Sequence, residues 1–78
     1  MPLPITITEI QLGKDILRIE LVKLHGHANF SARKFFKKDD GQWQASKHGL
    51  AFYIERLPDV VAAFENALNQ ARAEKLLP

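Results

Sequence analysis

Helical periodicity occurs in a single segment of the chain, and this limits how many layers the fold can have. Between residues 58 and 76, apolar side chains recur at every third or fourth position, which is the spacing of an amphipathic helix. The stripe consists of Leu57, Val61, Phe64, Leu68 and Ala71. Pro58 suits the first turn, because its missing N–H would have no partner there. One helix can cover one face of one sheet, so a second face must stay wet, bind a ligand or meet another subunit.

The residues before this helix alternate between apolar and polar side chains, which is the pattern of β-strands. Turn signals divide them into four strands. The predicted strands cover residues 5–12, 16–24, 28–37 and 42–54. The turn at Asp39-Asp40-Gly41 has the strongest signal, since Asp-Gly favours a hairpin reversal. We expect irregularities near Thr8-Glu9, where the alternation shifts, and near Gly49, which suits a bulge or a close approach of backbone.

The length of 78 residues allows one domain, predicted over residues 1–78. The chain has no cysteine, which excludes disulfides and thiolate metal sites. A core this small then depends on tight packing or on oligomerisation.

The N-terminal residues lack the basic and long apolar regions of a signal peptide, and no stretch approaches the ~18 apolar residues of a membrane span. We therefore expect a soluble protein with no membrane partner. The expected location is the cytoplasm, in association with the nucleoid in a bacterium, or the nucleus in a eukaryote.

Positive charge is concentrated in the middle of the chain, although the net charge is only +2. Residues 14–47 contain eight Lys and Arg against four Asp and Glu. A cluster of cations attracts phosphate and makes binding depend on salt. A solvated surface would have the same composition, so charge alone leaves both interpretations open.

The sequence offers little for catalysis. No serine lies in a glycine-flanked nucleophile motif, and no glycine-rich phosphate loop occurs. Asp39-Asp40 fits a solvated hairpin tip better than a pair of catalytic carboxylates. His25 and His27 could bind a metal ion, but further ligands are limited to His48 and scattered carboxylates. We therefore expect neither enzyme activity nor a cofactor or metal.

Basic and aromatic residues are interleaved in two adjoining predicted strands. The segment from Arg33 to Lys38 reads Arg-Lys-Phe-Phe-Lys-Lys, and Trp43 and Lys47 follow across the hairpin. Single-stranded nucleic acid requires cations for its phosphates and flat rings for its unstacked bases, and a sheet can present both on one surface. For any one ring, a place in the core or in a subunit contact is the simpler explanation. The cluster as a whole favours a nucleic-acid-binding face.

These motifs resemble the transcriptional positive cofactor four family. The similarity extends over residues 9–75 and includes Leu12-Gly13-Lys14, Arg33-Lys34-Phe35-Phe36, the hairpin from Asp39 to Trp43, Lys47-His48-Gly49-Leu50 and Leu57-Pro58. The resemblance implies a protomer of four strands and one helix, an obligate homodimer, and single-stranded DNA bound along curved sheet surfaces. It also implies a compact, bacterial-type transcriptional cofactor or general single-strand-binding protein rather than an enzyme.

The same resemblance implies roles for individual residues. Arg33 matches a basic residue near the DNA backbone, and Phe36 matches a stacking aromatic that is often tryptophan. Lys47 and His48 match a basic pair that precedes a glycine.

Two positions depart from the family pattern. Leu24 stands where an aromatic is usual, and His27 stands where a lysine is usual. Leucine cannot stack like a ring, and histidine is mostly neutral at pH 7. We expect either weaker binding or a replacement ring supplied by Trp43.

We therefore predict an α+β fold, a bent four-stranded antiparallel sheet followed by one C-terminal helix, that forms a homodimer. Its predicted function is single-stranded DNA binding with little sequence preference, as a transcriptional cofactor that could contact the transcription machinery. The candidates for phosphate contact are Lys14, Arg18, Arg33, Lys34, Lys37, Lys38 and Lys47, with His48 beside them. The candidates for base stacking are Phe35, Phe36 and Trp43.

Strand geometry limits this list. Neighbouring residues of a strand point to opposite faces, so Arg33 and Lys34 cannot both contact one ligand unless the strand bulges. Three alternative functions remain: an RNA-binding module, a protein–protein adaptor in transcription, and a small metal-dependent enzyme built around the histidines.

Overall fold

The computed structural model describes residues 3–78 as a four-stranded sheet followed by a short 3-10 turn and one helix. The elements are β1 (Ile5–Leu12), β2 (Asp15–Leu24), β3 (His27–Lys37), β4 (Trp43–Tyr53), the 3-10 turn Ile54–Arg56, and α1 (Leu57–Ala73). The strands are antiparallel and lie side by side in chain order. The predicted α+β class and the order of elements are confirmed. Met1 and Pro2, the first residues of the predicted domain, lie outside the described residues.

The hairpin between β3 and β4 forms at the predicted Asp-Gly turn. The N–H of Gly41 donates to the carbonyl of Lys38 over 2.9 Å, and the N–H of Gln42 donates to Asp40 Oδ1 over 2.9 Å. Gly41 has φ of +86°, a conformation that side-chain-bearing residues rarely adopt. The aspartate side chain and the glycine backbone together explain why the chain reverses here.

The register between β2 and β3 is unbroken from Ile16 opposite Phe35 to Leu24 opposite His27. Side chains of a strand point alternately to the two sides of a sheet, so this register assigns residues to two faces. One side, which we call the cationic face, includes Arg18, Arg33, Phe35, Lys37 and Trp43. The other side, which we call the apolar face, includes Leu12, Leu17, Ile19, Phe30, Ala32 and Leu50.

Two bulges interrupt the outer strands. In β1, the register shifts between Thr6 and Thr8, next to the predicted irregularity at Thr8-Glu9. In β4, the three residues 46–48 lie opposite Lys34 alone, because Arg33 pairs with Gly49 and Phe35 pairs with Ala45. Bulges bend a strand and increase its twist.

The hydroxyl group of Ser46 stabilises the β4 bulge. It donates to the carbonyl of Lys34 over 2.7 Å and accepts from the N–H of His48 over 3.0 Å. These two bonds replace ladder hydrogen bonds that the extra residues would otherwise leave unmade.

Gly49 allows β4 to approach β3 closely beside this bulge. A Cβ atom at Gly49 would lie 2.6 Å from the carbonyl oxygen of Ala32 and 2.8 Å from the Cα of Arg33. Both are backbone atoms of a central strand, so neither can move aside without disturbing the ladder. The expectation of a bulge or a close backbone approach at Gly49 is therefore confirmed on both counts.

The helix ends three residues before the predicted boundary. The N–H of Leu76 donates to the carbonyl of Ala71 over 2.8 Å, and the N–H of Lys75 donates to that of Arg72 over 3.0 Å. Lys75 has φ of +58°. These features form a Schellman motif, in which a left-handed residue ends the helix and satisfies its last carbonyl groups.

The helix does not cover either face of the sheet. We expected its apolar stripe to pack on one face, but α1 contacts mainly the 3-10 turn before it, and no residue of α1 is buried. Phe64 is 57% exposed and lines the edge of a groove on the apolar face. The connection from β4 has only three residues and is itself helical, so it contains no loop in which the chain could fold back. Among residues 3–78, no helix is long and apolar enough to cross a membrane.

The substitution Gly49→Ala tests the close approach of β4 to β3. We expect it to lower the free energy of unfolding by about 2–3 kcal/mol, because the added methyl group overlaps backbone atoms that cannot relax. Chemical denaturation followed by circular dichroism measures the change. The matched control is Ala51→Gly in the same strand, with an expected loss of about 0.5–1 kcal/mol. A loss for Gly49→Ala no larger than that of the control would contradict the steric argument.

Candidate nucleic-acid interface

The cationic face is a row of side chains across β2, β3 and β4. Arg18 lies opposite Arg33, and Lys37 lies opposite Trp43. Phe35 lies between these two pairs along β3. The face exists because the β2–β3 and β3–β4 registers together place these residues in phase, although they are up to 25 positions apart in the sequence.

Arg18 is held by two contacts. Its Nε donates to Glu9 Oε2 over 2.7 Å, and its guanidinium carbon lies over the ring of Phe35, 4.1 Å from the ring centre. The first contact is a charge-assisted hydrogen bond and the second is a cation–π contact. Glu9 is a residue that the sequence interpretation missed, since a single glutamate in an outer strand gives no signal of its own.

Arg33 is held by the bulge. Its Nη1 donates to the carbonyl of Ser46 over 3.1 Å, and this hydrogen bond is partly buried. Arg33 and Arg18 are direct cross-strand neighbours of like charge, which is an unfavourable arrangement unless an anion lies between or beside them. Glu9 supplies such an anion to Arg18, whereas Arg33 makes no ion pair within residues 3–78.

Trp43 and Lys37 form the end of the face nearest the β3–β4 hairpin. Trp43 is 39% exposed, and the ammonium nitrogen of Lys37 lies 6.0 Å from the centre of its ring. Lys37 makes no ion pair among the described residues. An exposed flat ring beside an unpaired cation is the combination that one nucleotide requires.

The opposite end of the same face has a pair of aromatic rings. The rings of His27 and Tyr53 lie 4.3 Å apart, and Tyr53 is 59% exposed. His27 Nε2 lies 3.1 Å from each carboxylate oxygen of Glu55. The buried Asn29 donates to the carbonyl of His27 over 2.9 Å and so fixes the start of β3. The sequence interpretation missed Tyr53, although its alternation with Phe52 indicates that it faces away from the apolar side.

Several candidates lie away from the cationic face. Lys34 and Phe36 are on the opposite side of β3, and Lys34 Nζ lies 3.4 Å from Asp15 Oδ2. Lys38 lies in the hairpin, with its Nζ 3.6 Å from Asp40 Oδ2. Side chains along β3 therefore keep alternating between the two faces, and the extra residues of the bulge are in β4 instead.

The remaining candidates lie in connections. Lys14 is in the turn between β1 and β2, and Lys47 is in the β4 bulge; both are exposed and make no ion pair within residues 3–78. His48 is also in the bulge and lines the groove of the apolar face with Leu50. Lys47 directly follows Ser46, whose carbonyl accepts the hydrogen bond from Arg33.

The histidines do not assemble a metal site in the described part of the chain. No group of three histidine, aspartate or glutamate side chains within residues 3–78 is arranged to hold a metal ion. His27 uses its Nε2 for Glu55. A structural zinc ion requires four ligands in a tetrahedral arrangement, and this geometry does not offer them.

Two solved structures share this architecture. A PC4 homolog from Burkholderia pseudomallei matches with a TM-score of 0.72 and 22% identity, over 82% of this chain and 88% of that chain. A bacteriophage T5 homolog of the eukaryotic transcription coactivator PC4, implicated in recombination-dependent DNA replication, matches with a TM-score of 0.71 and 20% identity, over 94% of each chain. The chain has the PC4 fold. No protein-family model and no curated protein matches the sequence.

The PC4 fold confirms, at the level of architecture, the resemblance that the sequence motifs indicated. The structure shows the surroundings of the two residues that depart from the family pattern, His27 and Leu24. His27 is engaged by Glu55 rather than free, and the half-exposed Leu24 lies opposite it in the register. The ring beside this position is that of Tyr53. Trp43 lies at the far end of the face.

The ion pair between His27 and Glu55 should stabilise the fold, and its contribution to stability can be tested at acid pH. The hydrogen bond from His27, and then that from the backbone, hold the pKa of the Glu55 carboxyl below its ordinary value of 4.5. A carboxyl group whose pKa is lower in the folded state stabilises the fold above its unfolded pKa, and this effect is lost as pH falls through the folded pKa. We expect the melting temperature of Glu55→Gln to be below that of the wild type at about pH 5.5, with the difference shrinking towards about pH 3.

The control for this prediction is Glu65→Gln, which removes a helix carboxylate that accepts no side-chain hydrogen bond within residues 3–78. Its melting temperature should differ from the wild type by an amount that changes little with pH. A constant difference for Glu55→Gln over the same range would show that the ion pair does not form.

Proposed function

We propose that this protein binds single-stranded DNA with little sequence preference and acts as a transcriptional cofactor of the compact PC4 type. The observation that supports it is the cationic face, where unpaired cations and exposed rings lie on one uncovered side of a sheet. The PC4 fold supports the same class of function, since one of the two similar structures is a homolog of a transcription coactivator.

The arrangement favours single strands over duplexes for a physical reason. Bases of a duplex stack on one another, so their flat faces are hidden, whereas an unpaired base can stack on an aromatic side chain. The cationic face extends along β3 from Asn29, opposite Tyr53, to Lys37, opposite Trp43. Eight residue steps of strand correspond to about 26 Å. Rings at both ends and arginines between them suit an extended strand of several nucleotides.

The described ion pairs divide the candidates for phosphate contact. Among these candidates, the ones without a carboxylate partner within residues 3–78 are Lys14, Arg33, Lys37 and Lys47. We propose these four as the principal phosphate ligands. Lys34 and Lys38 already have carboxylate partners, so a phosphate would have to compete with Asp15 and Asp40. Trp43 and Tyr53 are the proposed stacking rings of this face, whereas Phe36 lies on the opposite side of β3.

The mechanism predicts different effects for a cation and a ring. Lys47→Ala should flatten the dependence of log affinity on log salt by about 0.7, the value for one phosphate contact on a single strand. Trp43→Leu should lower affinity by about 1–3 kcal/mol with little change in that slope, because stacking releases no counterions. Fluorescence anisotropy with matched single-stranded and double-stranded oligonucleotides at several salt concentrations measures both quantities.

Lys75→Ala serves as the control, since it removes a cation that follows the end of α1 and belongs to no strand of the sheet. It should leave both affinity and slope close to the wild type. Binding that barely responds to salt would instead support an apolar protein-docking surface. Equal affinity for single and double strands would reject base stacking. An RNA oligonucleotide of the same sequence, measured in parallel, compares RNA with DNA directly.

We also propose that the functional unit is a homodimer. The chain has an accessible surface of 6261 Å², whereas a compact monomer of 8.9 kDa has about 4,800 Å². Its radius of gyration of 14.7 Å also exceeds the value of about 11.5 Å for a compact domain of this length. The excess surface exceeds the roughly 800 Å² that each partner buries in a standard interface.

The surface that a second copy would cover is identified by its chemistry. The groove on the apolar face is lined by Leu17, Ile19, Phe30 and Leu50, with Phe64 at its edge. The helix stripe of Val61, Phe64 and Leu68 is also exposed. Exposed apolar surface in two complementary forms, a groove and a ridge, favours association through this side and leaves the cationic face free.

The substitution Phe64→Asp tests this arrangement. A charged group in an apolar interface loses hydration without gaining a partner, so we expect the dimer dissociation constant to rise by at least about 100-fold. Analytical ultracentrifugation over a range of concentrations measures it. Glu65→Gln, the neighbouring residue on the polar side of the helix, should leave the dimer unchanged. A wild-type protein that is monomeric at about 100 µM would reject the proposal.

A further inference from the structure

Arg18 occupies an unusual position among the cations of the sheet. It lies in a cross-strand row in which Glu9, Arg18 and Arg33 are successive neighbours on β1, β2 and β3. Of these, Glu9 and Arg18 are joined by a hydrogen bond of 2.7 Å, and the guanidinium of Arg18 also lies over Phe35. Arg18 is thus fixed at its edge by a carboxylate and across its plane by a ring.

The charge of Arg18 is poorly placed for a phosphate. Glu9 neutralises it locally, and the carboxylate is 44% exposed beside it. A phosphate that approached Arg18 would meet a negative charge at close range, so its gain from the guanidinium would be reduced. Arg33, the next residue in the row, has no such carboxylate and is the better phosphate ligand.

The plane of Arg18 is well placed for a base. Its guanidinium lies over the ring of Phe35, on which we expected a base to stack from the sequence, and so covers that side of the ring. The side chain of Arg18 nevertheless remains 27% exposed. Unstacked bases stack on guanidinium planes as well as on aromatic rings. A base on the outer side of Arg18 would complete a stack of ring, guanidinium and base.

We propose that Arg18 is a base-stacking platform rather than a phosphate ligand, with Glu9 and Phe35 as the residues that position it. This inference rests on the proposed binding of single strands by the cationic face. It assigns a role to Glu9, an acidic residue whose presence on a DNA-binding face would otherwise oppose binding.

Substitutions at Arg18 separate the two roles. If Arg18 is a platform, Arg18→Lys and Arg18→Ala should both lower affinity for an oligo-thymidine strand by about 5- to 100-fold, because neither retains the plane. Their salt slopes should stay within about 0.2 of the wild type. Retention of wild-type affinity by Arg18→Lys, together with a slope flattened by about 0.7 in Arg18→Ala, would make Arg18 a phosphate ligand and overturn the proposal.

An oligonucleotide without bases provides a test that depends less on the variants' stability. A strand of abasic residues of equal length has the same phosphates but nothing to stack. We expect Arg18→Ala and the wild type to bind it equally, although they differ on oligo-thymidine. An equal loss on both strands would overturn the proposal, and circular dichroism would show whether the variant remains folded.

For removal of Glu9, the proposal predicts a change in DNA affinity opposite to the one that simple electrostatics predicts. Deleting a carboxylate near DNA should tighten binding, whereas Glu9→Ala should weaken binding to oligo-thymidine by about 3-fold or more if Glu9 orients Arg18. The matched control is Glu20→Ala, a carboxylate on the same side of β2 that makes no contact with Arg18. It should leave affinity unchanged or raise it slightly. Tighter binding in both variants would remove the positioning role of Glu9.

The outcome for the wild type distinguishes this inference from the proposed function. A wild type that binds oligo-thymidine no better than the abasic strand rejects base stacking by the whole face, and with it both proposals. A wild type that prefers oligo-thymidine, with Arg18→Lys indistinguishable from it, supports the proposed function and rejects the platform alone.

Discussion

The unbroken register between β2 and β3 is the arrangement on which the rest of the molecule depends. It places Arg18 beside Arg33 and within reach of Phe35, and it excludes Lys34 and Phe36 from the same side. A slip of one residue would exchange every side chain of β2 between the faces. Leu17 and Ile19 would then lie among the cations, and neither a cationic face nor an apolar face would remain.

The β4 bulge lets the outer strand follow this register without losing its contact with β3. Gly49 admits the close approach of the two backbones, and Ser46 satisfies groups that the bulge leaves unpaired. The bulge also holds Arg33 in place, because Arg33 Nη1 donates a hydrogen bond to the carbonyl of Ser46. Structure and proposed function therefore share residues, since the bulge that shapes the sheet also orients a cation.

Positive charge in this molecule is organised by pairing rather than by quantity. The net charge is only +2, and carboxylates occupy Arg18, Lys34 and Lys38. Arg33 and Lys37, which make no ion pair among residues 3–78, lie on the same face as the exposed Trp43 and Tyr53. The apolar face exposes leucine, isoleucine and phenylalanine side chains. The two sides of one sheet thus differ enough in chemistry to bind different partners.

Local patterns in the sequence determined the elements of this fold. Alternation predicted the four strands, Asp-Gly predicted the tight hairpin, and the stripe after Pro58 predicted the helix, because each depends on residues close together in the chain. Parity along β3 also indicated that Arg33 and Lys34 could not share a ligand. Only the tertiary structure decided that α1 leaves the sheet uncovered, that Glu9 and Phe35 hold Arg18, and that the rings of Tyr53 and His27 lie against each other. Those features depend on contacts between different strands and on the direction in which the chain leaves β4, and no local pattern contains that information.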